Sequence, residues 1–350
     1  MAETRIDSAS LEQFVAAIWE KVGFNAQDAA TEAHVLVWAN LRGVDSHGVL
    51  RVPQYLANIK RGGMNPQAQI RVERETPAIA LIEGDNAFGP VVTTYAMELA
   101  IAKARQVGIG WVVIRNTTHQ GCMAYYPMMA VAQNMAGMAI VCNPPNMAPF
   151  GARAAGVHNS PLAIAVPAGE RDPLVLDMAT SMAAFGKVNL AQDKGIPIPE
   201  GWALDADGNP TTDANKARIL LPFGGYKASS LALMFETLSS VMTGNGLLTP
   251  FLLGGEKPRP GAQNSVVAAI DIAAFTDVDA YKQEIDRLIA GIKGLPTAEG
   301  FSEVLVPGEI ENRVQAERKA NGIPLPEGTV INLRQASQDL GVPLPAALLP

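Results

Sequence analysis

Over the first sixty positions apolar residues recur three and four apart, and after about residue 78 they gather into short unbroken runs, so the chain opens as helices and continues as strands alternating with helices. Leu11, Phe14, Val15, Ile18, Trp19 and Val22 line one face of a helix that a Ser10-to-Gln13 capping box opens and Gly23 ends. A second helix is predicted over residues 26–42, capped by Asn25 with Asp28 three positions on and closed by Gly43. Pro53 suits the first turn of a short third helix and Gly62 its stop, which makes residues 45–52 the entry to that helix. Strands are predicted at 78–82, 111–114, 138–142, 162–166, 174–176 and 266–270. Helices are predicted at 93–106, before Gly108, at 123–135 and at 229–243. This alternation by itself reads as a parallel sheet carrying helices. From Gly308 on the chain looks helical and polar, and the Pro-rich tail PLPAALLP is expected to lie across the surface.

Composition narrows the classes. With 350 residues, 48% of them hydrophobic and 17% charged, the chain can bury a full core and is expected to divide into two domains. The formal charge is −7, and the Lys and Arg residues are scattered, so no basic stripe offers itself to nucleic acid. The start MAETRIDSAS lacks the apolar run of a signal peptide, and no apolar stretch is long enough to span a bilayer. A cytoplasmic protein without a membrane partner is the expectation. Cys122 and Cys142 agree with a reducing compartment and are not spaced as a metal pair, so no metal site is expected.

The chemistry rests on four histidines. His34 falls inside a helix beside Val35, Leu36 and Trp38 and reads as an ordinary helix residue. His158, ahead of a predicted strand, fits a turn and a site equally well. His47 and His119 sit in loops, each with a glycine one or two positions on, where a side chain is held yet reachable. If the entry segment makes one helical turn, His47 and Arg51 project to the same side. A guanidinium can hold a substrate carboxylate by paired hydrogen bonds, while an imidazole of near-neutral pKa moves the proton on the adjacent oxygen. A capped helix start with a solvated arginine explains the same spacing. His119 follows the run 112–114 just past a strand end, where open sheets bind ligands.

Absent motifs exclude as much. No G-x-G-x-x-G follows a strand, and there is no P-loop, H-E-x-x-H or G-x-S-x-G. A Rossmann dehydrogenase, a P-loop enzyme, a zincin and an ordinary α/β-hydrolase are disfavoured. Ser46 beside His47 does not read as a nucleophile with its base, because adjacent residues do not normally point at one another.

The segments GVDSHGVLRVPQYLANIKRGG, NTTHQG, PFGARAAG, NSPLAIAVP, LVLDMATS, FGKVNLAQDKGIPIPEGWALDADGNPTTD, GGYKASSLALM and GFSEVLVPGE, spread from about residue 10 to 330, resemble the malate/L-lactate dehydrogenase family. The resemblance implies an α/β fold of the α+β type: a non-Rossmann nicotinamide-binding domain with a mostly antiparallel sheet (residues 76–304), plus a helical domain from both chain ends (1–75 with 305–350). It implies a homodimer, and NAD or NADP as cofactor for hydride transfer at C2 between a small 2-oxo acid and its 2-hydroxy acid. Reduction of a cyclic imine carboxylate is the alternative within the family.

By the same resemblance, Ser46 and His47 look like a proton-transfer pair, Arg51 like the carboxylate anchor with Tyr55 beside it, and His119 like a residue at the nicotinamide that competes with His47 for the acid–base role. Cofactor contacts carry over to Gly121, Asn143, Asp177, Met178, Ala179, Lys227, Gly308, Glu309 and Ile310, besides His119. Physically, Asp177 suits a ribose hydroxyl or a helix cap, and Lys227 suits a phosphate or bulk solvent. The chain departs from the family where Tyr226 precedes Lys227 and Ala228-Ser229-Ser230 follow, and at Phe185, whose bulk points to a larger or less polar substrate pocket. A non-catalytic binding protein on the same fold is the competing class, resting on the altered surroundings of Lys227.

Overall fold

The computed structural model describes residues 4–259 and 261–349. It opens with β1 (Thr4–Ile6), α1 (Ser8–Lys21) and α2 (Ala26–Leu41); two 3-10 turns, Asp45–His47 and Val49–Arg51, then lead into α3 (Val52–Lys60). Next come β2 (Arg71–Glu75), β3 (Ile79–Glu83), α4 (Gly89–Val107), β4 (Ile109–Thr117), α5 (Tyr125–Val131), β5 (Met135–Cys142), β6 (Leu162–Val166) and β7 (Leu174–Met178). A smaller unit holds α6 (Phe185–Asp193), β8 (Ala203–Leu204), β9 (Pro210–Thr211), β10 (Ile219–Leu220), α7 (Tyr226–Glu236), which runs on into a π turn at Thr237–Val241, and α8 (Thr249–Leu252). The chain finishes with β11 (Gln263–Asp271), α9 (Val278–Lys293), α10 (Glu309–Asn321), β12 (Ile323–Leu325) and α11 (Glu327–Leu340). None of the described helices is long and apolar enough to cross a membrane.

The two chain ends share one core: Leu11, Trp19, Leu36 and Tyr55 pack with Ile323, Leu325, Leu333 and Leu348. Antiparallel pairing of β1 with β12, Ile6 opposite Ile323, ties the ends together. The cap of α1 lies earlier than the Ser10 box. Asp7 accepts the Ser10 N–H at 2.8 Å, so the helix starts at Ser8. On α2 the Asn25 side chain accepts from the Asp28 N–H at 2.9 Å, as its sequence suggests. The tail is docked rather than laid over the surface: Val342 and Leu348 are buried, and Arg334 donates to the carbonyls of Leu348 and Leu349 at 2.7 and 2.6 Å.

The large sheet has the order β2-β3-β4-β11-β5-β6-β7. Only β3 and β4 run parallel, joined through α4, and every other pairing is antiparallel. The parallel sheet suggested by strand–helix alternation is thus replaced by a mixed, mostly antiparallel one, because β11 returns from far along the chain and inserts between β4 and β5. Burial on both faces explains why β4 and β11 read as unbroken apolar runs. β2 escaped the hydrophobic pattern because RVERE is a charged edge strand. Antiparallel neighbours bring the C-terminal ends of β4, β5 and β7 and the N-terminal ends of β6 and β11 to one edge of the sheet. His119, Asn143, Asp177 and His158 all lie at or just beyond that edge.

In the smaller unit, Met147, Val157, Val188, Ile198 and Leu220 form a separate core, with Phe185 packed against it. Phe185 is half-buried, packed on this core at the start of α6, where Gly186 lies close to Ser46.

Because Leu348 is fully buried, Leu348→Ala is expected to lower stability by about 2–5 kcal/mol. Urea unfolding of the purified variant measures this; an unchanged midpoint would mean that the tail is not part of the folded core.

Candidate active site

The two loop histidines meet. His47 lies in the first 3-10 turn after α2, His119 just past β4, and their rings lie nearly parallel, 18° apart, with centroids 5.4 Å apart. Ser46 Oγ is 3.0 Å from His47 Nδ1, so the adjacent pair does touch. The tight turn swings the short hydroxyl round to the neighbouring ring edge, which corrects the expectation that the two side chains diverge. Arg51 reaches back over the same turn and donates from Nε to the Ser46 carbonyl at 2.6 Å and from Nη1 to Gln54 Oε1 at 2.7 Å. His47 and Arg51 come together through two consecutive 3-10 turns, with Gly48 between them, instead of the single helical turn expected.

Tyr55, on α3 and 2% exposed, places its Oη 2.5 Å from His119 Nδ1, and the Gly121 N–H donates to the same nitrogen at 3.3 Å. A backbone N–H can only donate. His119 Nδ1 is therefore an acceptor, and the neutral ring carries its proton on Nε2.

Both rings are uncharged near neutral pH. Burial first, and then the Arg51 charge, push His47 down to about 4, well below the near-neutral value expected from its sequence setting. His119 is held well below the ordinary range by burial, then by Arg51, His47 and His158. His158 is buried and pushed down to about 3 by that burial, so a third imidazole belongs to this end of the sheet. Only its position ahead of a strand hinted at this. His34 stays on the outside of α2, 3.2 Å from Glu12, as an ordinary helix residue.

The expected cofactor residues fall into two groups. Asn143 follows β5, and its buried Oδ1 has no partner among the described residues. Asp177, in β7, is no helix cap. Its Oδ2 accepts from the Ala124 N–H at 2.8 Å and from Cys122 Sγ at 3.4 Å, and burial pushes the carboxyl up to about 6. The 308–310 turn lies against β7, where the Val175 N–H donates to the Pro307 carbonyl at 3.1 Å. Gly308 is required there by its φ of +89° and by the closeness of Val175 to any Cβ. The Glu309 carboxylate is already engaged by Lys293, Arg313 and the Val306 N–H, which leaves backbone rather than side chain for a ligand. Met178 and Ala179 continue from Asp177. Lys227 stands apart, exposed in the first turn of α7 beside the Phe150–Tyr226 ring pair.

A cavity of about 270 Å³ opens beside the 308–310 turn, lined among others by Asp172, Lys293, Glu309 and Asn312. No member of the histidine group lines it. Arg42, nearly fully buried at the end of α2, donates to Asn312 Oδ1 at 2.6 Å, while Arg42 Nη2 and Asn312 Nδ2 are buried donors without partners among the described residues. The unpartnered buried atoms of Asn143, Arg42 and Asn312 could each bond a polar group of a ligand. Among the described residues no three His, Cys, Asp or Glu side chains gather as a metal cage.

The sequence profile described as malate/L-lactate dehydrogenase matches residues 6–334. L-sulfolactate dehydrogenase from Methanocaldococcus jannaschii is 40% identical over 93% of this chain and 94% of its own. A solved sulfolactate dehydrogenase from the same organism superposes with TM-score 0.86 at 38% identity, covering 97% and 98% of the two chains. Ureidoglycolate dehydrogenase (NAD(+)) from Escherichia coli is 31% identical over 92% of each chain. The structure of delta1-piperideine-2-carboxylate reductase from Pseudomonas syringae matches with TM-score 0.82 at 26% identity, over 95% and 99% of the chains. The chain belongs to the malate/L-lactate dehydrogenase family and is an oxidoreductase.

The depressed histidines set an acid limit on stability. Between pH 6.5 and 4 the unfolded chain binds protons that folded His158 and His47 refuse, so stability rises with pH there and is lost as pH falls. For His158 alone the loss is on the order of 3 kcal/mol by pH 4. Thermal unfolding at a series of pH values is expected to show Tm falling below pH 6.5, less steeply in His158→Gln; equal slopes in the two proteins would locate the effect elsewhere.

Proposed function

We propose that this chain interconverts a small 2-oxo acid and its 2-hydroxy acid, with NAD or NADP as the hydride carrier. The observation that carries the reading is the pair of neutral, parallel imidazoles of His47 and His119 beside the Arg51 guanidinium. Arg51 bonds the turn through Nε and Gln54 of α3 through one N–H of Nη1, so its remaining Nη1 and Nη2 hydrogens are offered to the substrate carboxylate. Ser46 Oγ accepts from His47 Nδ1–H, which leaves His47 Nε2 unprotonated, aimed at the hydroxyl and ready to take its proton on oxidation. His119, fixed by Tyr55 as an Nε2–H donor, hydrogen-bonds the same oxygen. One ring then accepts and the other donates, and we assign the acid–base step to His47 with Ser46. A bound carboxylate neutralises Arg51, one of the causes of the low His47 pKa, so substrate itself moves His47 toward the range in which it can return the proton during reduction.

The cofactor lies, in this reading, along Asn143, Asp177, Met178, Ala179 and the Gly308, Glu309 and Ile310 backbone, with Gly121 and His119 at the nicotinamide and Lys227 near a phosphate. Bound there, it supplies or accepts the hydride at C2. The site then falls between a helical domain of 1–75 with 305–350 and a sheet domain of 76–304, in a cytoplasmic homodimer. The dimer reading is supported by the apolar residues exposed on and after α7: Leu233, Met234, Val241, Met242, Leu252 and Leu253. Reduction of a cyclic imine carboxylate keeps the same anchor and is the second reading, supported by the likeness to the piperideine-2-carboxylate reductase structure.

A panel of 2-oxo acids and cyclic imine carboxylates, assayed with NADH and NADPH, decides between the two. On the best substrate, His47→Ala is expected to lower kcat about 100- to 10,000-fold. A normal kcat would transfer the acid–base role to His119. Arg51→Lys keeps the charge but loses the planar fork, so KM for the acid should rise while cofactor affinity, read by fluorescence, stays as in the parent. Unchanged acid kinetics would remove Arg51 from the substrate. Sedimentation at micromolar concentration is expected to give a dimer, and a monomer alone would count against that assembly.

A further inference from the structure

The turn that carries Ser46 and His47 is three residues long, too short to hold its own shape. We propose that Arg318 of α10, acting through Asp45 and Asn40, is the positioning residue that fixes this turn and so aims His47 at the substrate. The proposal rests on the reading of His47 as the acid–base group.

Arg318 donates from Nη1 and Nη2 to the two oxygens of Asp45 at 2.6 and 3.0 Å, a two-pronged match that only a guanidinium makes. Its Nη1 also donates to the Asn40 carbonyl at the end of α2. The Arg318 side chain is 12% exposed and that of Asp45 39%, so the contact is partly shielded from water. Asn40, itself buried, completes the clasp: its Nδ2 donates to Asp45 Oδ1 at 2.7 Å, and its Oδ1 accepts the Val49 N–H at 2.9 Å. One amide thereby spans the turn from the residue before Ser46 to the second residue after His47. Gly48 packs directly on that amide, where a Cβ would collide with it. Arg318 is held in place because α10 is anchored elsewhere, by Arg42 on Asn312 and by Arg5 on Glu317 at 2.7 Å. The low His47 pKa is set by burial and then by the Arg51 charge, while Arg318 bonds the turn at Asp45 and Asn40.

The test compares Arg318→Gln, Arg318→Lys and Asp45→Asn in the full chain, each first shown to be folded by circular dichroism. Arg318→Gln is expected to lower kcat about 10- to 100-fold, the scale of a misplaced catalytic group, without changing cofactor affinity measured by fluorescence. Arg318→Lys should recover part of the loss, Asp45→Asn should resemble Arg318→Gln, and millimolar guanidinium should partly restore kcat in Arg318→Gln. In a His47→Ala background the Arg318→Gln effect should vanish, because the two act on one step. A lower Tm with parental kcat and KM would reduce the clasp to a purely structural contact and overturn the proposal. Persistence of the Arg318→Gln loss in the His47→Ala background would overturn it as well, whereas near-normal kcat in His47→Ala alone would instead defeat the assignment of His47.

Discussion

The hydrogen bond between Tyr55 and His119 joins the helical part of the molecule to the end of the central strand, and the candidate site depends on it. Tyr55 belongs to the core built from both chain ends, whereas His119 belongs to the sheet. Both partners are removed from water, so an unpaired hydroxyl or ring nitrogen here would carry the full cost of desolvation. With the Gly121 N–H donating to the same nitrogen, His119 keeps its proton on Nε2, and that settles which edge of the ring offers a proton. The same burial keeps His119 neutral beside Arg51. A charged imidazole would repel that guanidinium and would compete with it for the carboxylate.

Much of this was legible in the sequence, for reasons that can be named. Asn25, Gly43, Pro53 and Gly62 act locally, and the helices they bound appeared where local rules put them. His47 and His119 stood out as loop histidines with a glycine one or two positions on, and Arg51 by its spacing of four from His47. The sheet order was not legible, since the placement of β11 between β4 and β5 is a property of contacts far apart in the chain. The Ser46–His47 contact was missed because the rule that neighbours diverge assumes regular helix or strand, and a 3-10 turn is neither. Arg318 carried no local signal, and His158 only its position ahead of a strand. Their roles come from partners 39 and more positions away, such as His119 and Asp45.

Helix α10 connects two features that are otherwise separate in the fold. It begins at the 308–310 turn, beside the cavity and Asp177, and its later turn carries Arg318 to Asp45. Nine residues of helix cover about 14 Å, which is the reach needed to link an expected cofactor contact to the catalytic turn through one rigid element. Helix α10 thus runs from the 308–310 turn to the turn that carries His47. Flexible loops at both places would have to be ordered independently, each at its own entropic cost. A shared helix orders them together, and the β1–β12 pairing and the common core of the two chain ends hold that helix against α2.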